Sequence, residues 1–315
     1  MRTELDCHIF SLNLDGKGGA SIVSEEAINP CWIHIDYSES SINTMLAELG
    51  INDPSAVEAL TRTDTRPRTT EFENAVLVAL RAINLNPGDD AEDMVSLRLW
   101  IESDRLISVR NRRVISAQDL RDQLIEGRGP VSIPGLVVQL IERIADRISD
   151  HVDMIEGKLD QIESGALSRK DKSELLQIRR QVASVRRFLA PQREALDVLT
   201  RVAPSSTTED IRMQVREQND RIIRYIEDLD LIRERAMVLQ EEIMNSIMEE
   251  QNARMYALSI VAVIFLPITF ITGIFGMNVA GLPGIEDPEA FLWVSGSMLT
   301  ISVAVILTLR VKGWF

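Results

Sequence analysis

The residues whose types and spacing most clearly suggest a binding function lie near the carboxyl-terminal end of this 315-residue chain. The tripeptide Gly276-Met277-Asn278 directly follows a long stretch without charged residues. A hydrated divalent cation is held by oxygen dipoles that accept hydrogen bonds from its first-shell waters, and the amide of Asn278 supplies such an oxygen. Gly276 permits a sharp exit from helical geometry and close packing of neighbouring chains. The alternative role for Asn278 is a C-terminal helix cap, because asparagine tolerates the left-handed conformation.

Three acidic residues, Glu286, Asp287 and Glu289, follow the tripeptide in a short segment that contains no Lys or Arg. When several copies of a chain surround one axis, such carboxylates raise the local concentration of cations by focusing the electric field. We therefore expect these three residues to attract cations from outside.

Two uncharged stretches flank this segment, at residues 255–275 and 291–309. At about 1.5 Å per residue, a helix of either length spans roughly 30 Å, which is the hydrocarbon thickness of a bilayer. A buried helix of a soluble core is the alternative, and two such stretches in one chain of this size disfavour it. Arg254 precedes the first stretch, whereas Arg310 and Lys312 follow the second, so the positive-inside rule predicts that both termini are cytoplasmic and that residues 278–290 form an external loop.

The region from residue 1 to about 129 is predicted to be a cytoplasmic α/β domain. Short β-type runs recur in it, at residues 8–12, 32–35, 75–83, 95–100 and 106–109. Helical patterns lie between these runs, with predicted amino-terminal caps at Asp53-Pro54 and at the Ser116–Asp119 capping box.

Residues 130–204 are predicted to form an antiparallel helical hairpin. The apolar stripe of its first helix has spacings of three and four residues and consists of Leu140, Ile144, Ile148, Val152, Ile155, Leu159 and Ile162. The second helix is predicted from Ser168 to about Ala190, ending before Pro191, with Leu175, Ile178, Val182, Val185 and Leu189 on one face.

Residues 205–277 are predicted to be one long stalk helix that continues into the first membrane span at about residue 255. Ser206 and Glu209 have capping-box spacing, and no Gly or Pro follows until Pro267. The apolar residues keep the rhythm of a helical bundle at Ile211, Val215, Ile222, Ile226, Leu229, Ile232, Ala236, Leu239, Ile243 and Ile247. Residues 291–315 then form the second span and a short cytoplasmic tail.

Two spans in one chain cannot enclose an aqueous path, so a conducting protein needs several copies around a central axis. Helical intervals before Asn278 place one uncharged face toward such an axis, consisting of Met255, Leu258, Ala262, Leu266, Thr269 and Gly273. A pore lined in this way is mainly apolar with one hydroxyl ring, and it can gate by dewetting. The alternative is that this face contacts lipid or a packed helix, which periodicity alone does not distinguish.

The composition excludes several classes of protein. With 34 Lys and Arg against 48 Asp and Glu, the net charge is −14, which disfavours nucleic-acid binding and favours cations as partners. No nucleotide-binding, metalloprotease or hydrolase motif is found, so an enzyme is not expected. Cys7, His8, Cys31 and His34 could bind zinc. In a strand, however, Cys31 and His34 point to opposite faces, and Cys7 and His8 do likewise, so ordinary core cysteines are favoured.

This order of elements, with Gly276-Met277-Asn278 at the outer end of the first span, resembles the CorA family of divalent-cation transporters. The resemblance covers essentially the whole chain and includes residues 78–84 and 93–99. It implies an α+β cytoplasmic domain, a long helical stalk and two C-terminal transmembrane helices, assembled as a funnel-shaped homopentamer. In such a pentamer the first span of each subunit lines the pore, and no resident cofactor is implied.

Magnesium channels of this family usually have an acidic residue after the proline that follows the tripeptide, but here Gly284 follows Pro283. This run and the Lys312–Phe315 ending resemble the ZntB branch of zinc transporters. The branch implies proton-coupled Zn²⁺ uptake across a bacterial inner membrane, with Mg²⁺, Co²⁺ or Ni²⁺ as the alternative cargo. A membrane-anchored coiled-coil receptor or scaffold is the alternative from a different class.

Overall fold

One mixed seven-stranded sheet is the centre of the amino-terminal half. The structure is a computed structural model that describes residues 7–23, 28, 30–63, 65–204, 207–277, 279, 282, 284 and 287–313. The strands are β1 (His8–Leu14), β2 (Ala20–Ile22), β3 (Cys31–Asp36), β4 (Arg68–Glu71), β5 (Val76–Ala82), β6 (Val95–Ile101) and β7 (Arg105–Arg110). Their order across the sheet is β2-β1-β3-β7-β6-β5-β4, and β3–β7 is the parallel pair.

The five runs predicted from apolar patterning correspond to β1, β3, β5, β6 and β7, which confirms those predictions. The sequence did not predict the edge strands β2 and β4. Both are short and carry exposed or half-buried side chains, so they lack the apolar signal of a buried strand.

Helices cover both faces of the sheet. The helices α1 (Ile42–Glu48) and α2 (Pro54–Thr61) share an apolar core with one face, whereas α3 (Ile115–Ile125), α4 (Ile133–Ser164) and α5 (Asp171–Val202) contact strands or each other on the other side. Every residue of β5 and β6 is buried as a result. Burial on both faces explains why these strands read as continuous runs rather than alternating patterns.

One of the two predicted helix caps in this region is correct. The Asp53 carboxylate accepts a hydrogen bond from the backbone N–H of Ser55 at 2.8 Å and caps α2, as predicted. The Ser116 cap is wrong, because α3 begins at Ile115 and its cap residue is Val114. Ser116 lies inside the helix, where its hydroxyl donates to the Arg143 carbonyl oxygen at 3.4 Å.

The hairpin helices α4 and α5 bury the stripes that periodicity assigns to them, and all twelve predicted stripe residues are buried. The predicted end of the second helix is wrong, because α5 continues through Pro191 to Val202. Beyond the proline, Ala195, Leu196 and Leu199 are buried and the Gln192 side chain accepts a hydrogen bond from the backbone N–H of Arg81 at 2.7 Å. These tertiary contacts offset the hydrogen bond that a proline removes from a helix.

The longest helix, α6 (Glu209–Phe275), has 67 residues and contains Pro267. The Ser206 cap lies outside the described residues, and the hydroxyl of Thr208 accepts a hydrogen bond from the backbone N–H of Ile211 at 3.4 Å. Ion pairs join α6 to α4, since Arg221 lies 2.6 Å from Asp146 and Arg235 lies 2.6 Å from Asp160. Seven of the ten apolar residues in the predicted stripe of α6 are buried: Val215, Ile222, Leu229, Ile232, Ala236, Leu239 and Ile243.

The chain divides into two compact units, residues 1–240 and 241–315. The first contains the sheet, the hairpin and the amino-terminal part of α6. The second contains the rest of α6 and the helix α7 (Ala290–Val311). The finer division of the chain at residues 129 and 204 stays a prediction.

Candidate functional site

The six residues assigned to the predicted pore face are exposed along the carboxyl-terminal part of α6. Met255, Leu258 and Leu266 are exposed by 69%, 70% and 71%, which is unusual for large apolar side chains. The remaining members of this face, Ala262, Thr269 and Gly273, are exposed as well.

Beyond Met255, the half-buried side chains of α6 lie on a different face of the helix. They are Ile260, Ile264, Pro267, Ile268, Ile271 and Ile274. At 100° per residue, the two sets are centred on nearly opposite sides of the helix. The predicted pore face is therefore the side that the single chain leaves uncovered.

Two threonines close to the end of α6 differ in their hydrogen bonding. The hydroxyl of Thr272 donates within the helix, lying 3.1 Å from the Ile268 carbonyl oxygen and 3.0 Å from the Thr269 carbonyl oxygen. The hydroxyl of Thr269 has no hydrogen-bond partner among the residues that the structure describes. Thr269 is thus the residue of the exposed face with a hydroxyl available to water.

Gly276 closes α6 by an unusually close backbone contact. Its N–H donates to the Thr272 carbonyl oxygen at 2.8 Å, and a Cβ atom at position 276 would lie 2.9 Å from that same oxygen. Only glycine fits this geometry without a shift of the helix end. Gly273, one turn earlier, has open space around its Cα, so the chain itself does not require glycine there.

The rest of the predicted site is described only in part. Asn278 and Glu286 lie outside the described residues, whereas Met277 is half exposed and directly follows the end of α6. Asp287 and Glu289 are exposed ahead of α7, and the Asp287 carboxylate accepts a hydrogen bond from the backbone N–H of Glu289 at 2.9 Å. The structure therefore places two of the three acidic residues in the turn that begins α7, where negative charge also favours the helix dipole.

Both α6 and α7 have the length and composition of membrane-spanning helices. Each contains an 18-residue apolar window in which no side chain is buried. A core helix of a soluble protein would bury most of such a window. The two helices contain the stretches 255–275 and 291–309 that the sequence assigns to the bilayer.

The cysteines and histidines near the amino terminus form no metal site in the part of the chain that the structure describes. Cys7 and Cys31 are buried and not linked by a disulfide, which agrees with the core role that the sequence favours. His34 is buried, and its Nδ1 lies 2.7 Å from the Ser108 hydroxyl oxygen, which also accepts a hydrogen bond from the indole N–H of Trp32. The Ser108 hydroxyl also lies 3.4 Å from the Ile33 carbonyl oxygen, so these contacts hold the His34 ring within the core of the sheet.

Burial strongly affects the protonation of His34. Desolvation, followed by the positive charges of Arg110 and Arg121, lowers the pKa of this imidazole to about 3. A side chain that stays neutral in the folded protein cannot act as a proton carrier near neutral pH. His34 therefore belongs to the core of the sheet rather than to the transport site.

Comparisons with known proteins agree with an arrangement in which a first unit built around a sheet is followed by two apolar helices. The family profile described as "CorA-like Mg2+ transporter protein" matches residues 29–311. The chain is 35% identical over 300 residues to the divalent cation transporter CmaX of Pseudomonas aeruginosa, covering 91% of this chain and 90% of that protein. It is 32% identical over 315 residues to the zinc transport protein ZntB of Pectobacterium carotovorum, covering 97% and 95%.

A solved structure of full-length CmaX is similar in fold, with a TM-score of 0.84 at 33% identity, covering 98% of this chain and 100% of that one. These similarities identify a membrane transport protein rather than an enzyme. The chain belongs to the CorA-like family of divalent-cation transporters. The family expected from the sequence is thereby confirmed.

Proposed function

We propose that several copies of this chain, most simply five, surround a central pore lined by the exposed face of α6, and that this pore carries a divalent cation across the membrane. The observation that carries the proposal is that this face is uncharged and uncovered from Met255 to Gly273, opposite the half-buried side of the helix. Two helices per chain cannot enclose a water-filled path, so the conducting unit is an oligomer. Pentameric assembly follows the resemblance to the family.

The residues that line the proposed pore determine how the cation passes through it. Rings of Leu258 and Leu266 form apolar constrictions, which empty of water when narrow and conduct when widened. Thr269 adds a ring of hydroxyls near the external end, and the exposed hydroxyl can hydrogen-bond ion hydration water. No carboxylate lies on this face to bind the ion deeply and slow its release.

The amide of Asn278 forms the selective mouth of the pore in this proposal, beside Met277 and the tight helix end at Gly276. An amide oxygen hydrogen-bonds the waters of a hydrated ion without removing them, which suits a cation that loses its water reluctantly. Glu286, Asp287 and Glu289 concentrate cations outside this mouth. Their charge is multiplied by the number of subunits.

Zinc is the proposed cargo. Support comes from the relative named zinc transport protein ZntB and from the absence of an acidic residue after Pro283. Magnesium, cobalt or nickel is the second candidate, because a relative of similar identity is named only as a divalent cation transporter. The protein needs no resident cofactor in either case.

We place both termini in the cytoplasm and the loop at residues 278–290 outside a bacterial inner membrane. The positive flanks of the two spans support this orientation. A membrane potential that is negative inside then favours entry of a divalent cation by about 4.6 kcal/mol per 100 mV. Neither span contains a carboxylate or a histidine, so a coupled proton would have to use groups outside the spans.

The test is transport by the purified chain reconstituted into liposomes that contain a zinc-sensitive dye. Dye response to external Zn²⁺, dependent on an inside-negative potential, is the expected result. A membrane-anchored receptor or scaffold would give no response above that of protein-free liposomes. Chemical crosslinking of the same sample should yield a ladder that ends at five subunits, and a monomer would contradict the pore.

Cargo and coupling are separated in the same liposomes. Equal Mg²⁺ and Zn²⁺ gradients are compared with ion-specific dyes, and faster Zn²⁺ entry is expected. Faster Mg²⁺ entry would favour the second candidate. An inward proton gradient imposed at zero membrane potential should accelerate Zn²⁺ entry if uptake is proton-coupled, and an unchanged rate would identify a passive channel.

A further inference from the structure

The face of α5 beside α6 carries a concentration of arginines that the transport proposal does not use. It borders a cavity of about 550 Å³ in the first compact unit. We call this cavity the arginine groove, and its lining residues are Leu176, Arg179, Arg180, Val182, Ala183, Arg186, Arg187 and Arg233. Five of the eight are arginines, in a chain with a net charge of −14.

Four of the five guanidinium groups have no carboxylate partner in the part of the chain that the structure describes. Arg186 is the exception, since its Nη2 donates to the Asp230 carboxylate at 3.1 Å. Arg179 donates to the neutral amide oxygen of Gln240 at 2.6 Å, and Arg187 lies over the ring of Phe188 at 5.5 Å from the centroid. Arg180 and Arg233 are exposed. The groove thus keeps unneutralised positive charge.

The guanidinium groups of α5 and that of Arg233 on α6 border one cavity, so an anion placed there would meet positive charge from both helices. The overall charge of the chain makes the feature more specific. The excess of carboxylates already provides solubility. Solubility therefore does not explain why five arginines are grouped around one cavity. The apolar floor formed by Val182 and Ala183 also distinguishes the groove from a fully solvated charged face.

The spacing of the arginines indicates the kind of anion. Arg179 and Arg180 lie seven residues before Arg186 and Arg187, which is two helical turns or about 10 Å along the axis. Chloride or a single phosphate reaches one of these pairs, whereas a chain of phosphates can contact both. The planar guanidinium group matches phosphate oxygens in pairs of parallel hydrogen bonds. Small-molecule sites typically have volumes of about 300–1,000 Å³, a range that includes this cavity.

We propose that the arginine groove binds a polyphosphate anion, either inorganic or attached to a nucleoside. Arg180 and Arg187 supply the charge from α5, and Arg233 supplies it from α6. The proposal does not rest on the transport function, and its test does not measure transport.

The test is isothermal titration calorimetry on the full chain in detergent, with chelator-treated buffers because divalent cations would bind the titrant. Sodium triphosphate, ATP, adenosine and orthophosphate are titrated in turn. We expect saturable binding of triphosphate, ATP or both, weakening as ionic strength rises, and no binding of adenosine. Equal affinity for triphosphate and ATP identifies the inorganic chain as sufficient, whereas tighter ATP binding identifies a nucleoside polyphosphate.

The variant Arg180→Gln/Arg187→Gln should raise the Kd at least about tenfold, because each arginine contributes charge-assisted hydrogen bonds. Arg233→Gln tests the same site from the other helix and should also weaken binding. The matched control is Arg193→Gln/Arg224→Gln, which removes two exposed arginines from the same helices outside the groove. Absence of binding to the wild type, equal weakening in the control, or binding of orthophosphate as tightly as triphosphate would overturn the proposal.

Discussion

Gly276 and the Thr272 carbonyl oxygen are so close that a Cβ atom on residue 276 would lie 2.9 Å from that oxygen. We therefore expect Gly276→Ala to displace the end of α6 and the adjoining Asn278, and to reduce zinc entry into liposomes several-fold. The first compact unit, residues 1–240, should melt at the wild-type temperature. Gly296→Ala in α7 is the control, because a methyl group there meets open space and Gly296 is not on the predicted pore face. Wild-type flux through Gly276→Ala would contradict the proposed mouth.

The apolar constriction at Leu266 makes a second prediction. Replacing it by threonine introduces a hydroxyl ring that keeps the pore wet, so Leu266→Thr should raise basal zinc entry. Val263 is also exposed on α6 but lies to one side of the predicted pore face, which makes Val263→Thr the matched control. If both variants behave like the wild type in the dye assay, Leu266 does not face a pore.

The external acidic residues act through long-range charge in the proposed function, and charge can be removed there without altering shape. Asp287→Asn retains the oxygen that accepts from the Glu289 backbone N–H, and Glu289→Gln is nearly isosteric. The double variant should raise the KM for zinc severalfold at low ionic strength. This difference should vanish at about 1 M salt, where the Debye length is about 3 Å. A salt-independent defect would indicate a structural role.

The sequence predicted the apolar strands and helix stripes because burial leaves a strong periodic signal. It failed at Pro191, where local preference ends a helix. The observed helix continues because Leu196 and Leu199 are buried and Thr69 donates to the Ala195 carbonyl oxygen at 2.6 Å. Contacts of this kind join residues far apart in the chain, so no local pattern contains them.

The candidate site shows the same limit. The tripeptide identified Gly276, but the structural reason for glycine there is close approach to Thr272 rather than a left-handed backbone. No sequence pattern distinguishes the arginines at positions 180 and 187 from other charged residues of α5. Only the packing of α5 beside α6 brings them together with Arg233 around one cavity.

Acid should destabilise the first compact unit, because unfolding allows His34 to take up a proton. Its pKa is about 3 in the folded chain and 6.5 when unfolded, so the unfolded state binds more protons between these values. Stability is therefore complete above pH 6.5 and declines as pH falls toward 3. The loss from pH 7 to pH 5 amounts to about 2 kcal/mol.

Urea unfolding of the full chain in detergent at the two pH values measures this effect. His34→Gln cannot take up the proton, so its unfolding free energy should depend less on pH by that amount. An identical pH dependence in both proteins would show that other groups control acid sensitivity.

The amide at position 278 is the group on which selectivity depends in the proposed function. Asn278→Ala removes the oxygen that hydrogen-bonds the hydrated ion, so zinc entry should fall strongly or lose its preference over magnesium. Asn278→Asp tests the same idea from the other side, because a ring of carboxylates binds the cation more tightly and should slow its release. In that variant, zinc should saturate at lower concentration with a reduced maximal rate.

Met277→Leu is the neighbouring control, since it keeps an apolar side chain of similar size, and it should transport at nearly the wild-type rate. Crosslinking must give the same subunit ladder for all three variants. A defect in the pore mouth can then be distinguished from a defect in assembly. Under the helix-cap alternative, Asn278→Gly would preserve transport, because glycine ends a helix at least as well as asparagine. Under the proposed function Asn278→Gly fails as Asn278→Ala does, because neither residue has an oxygen to offer the ion.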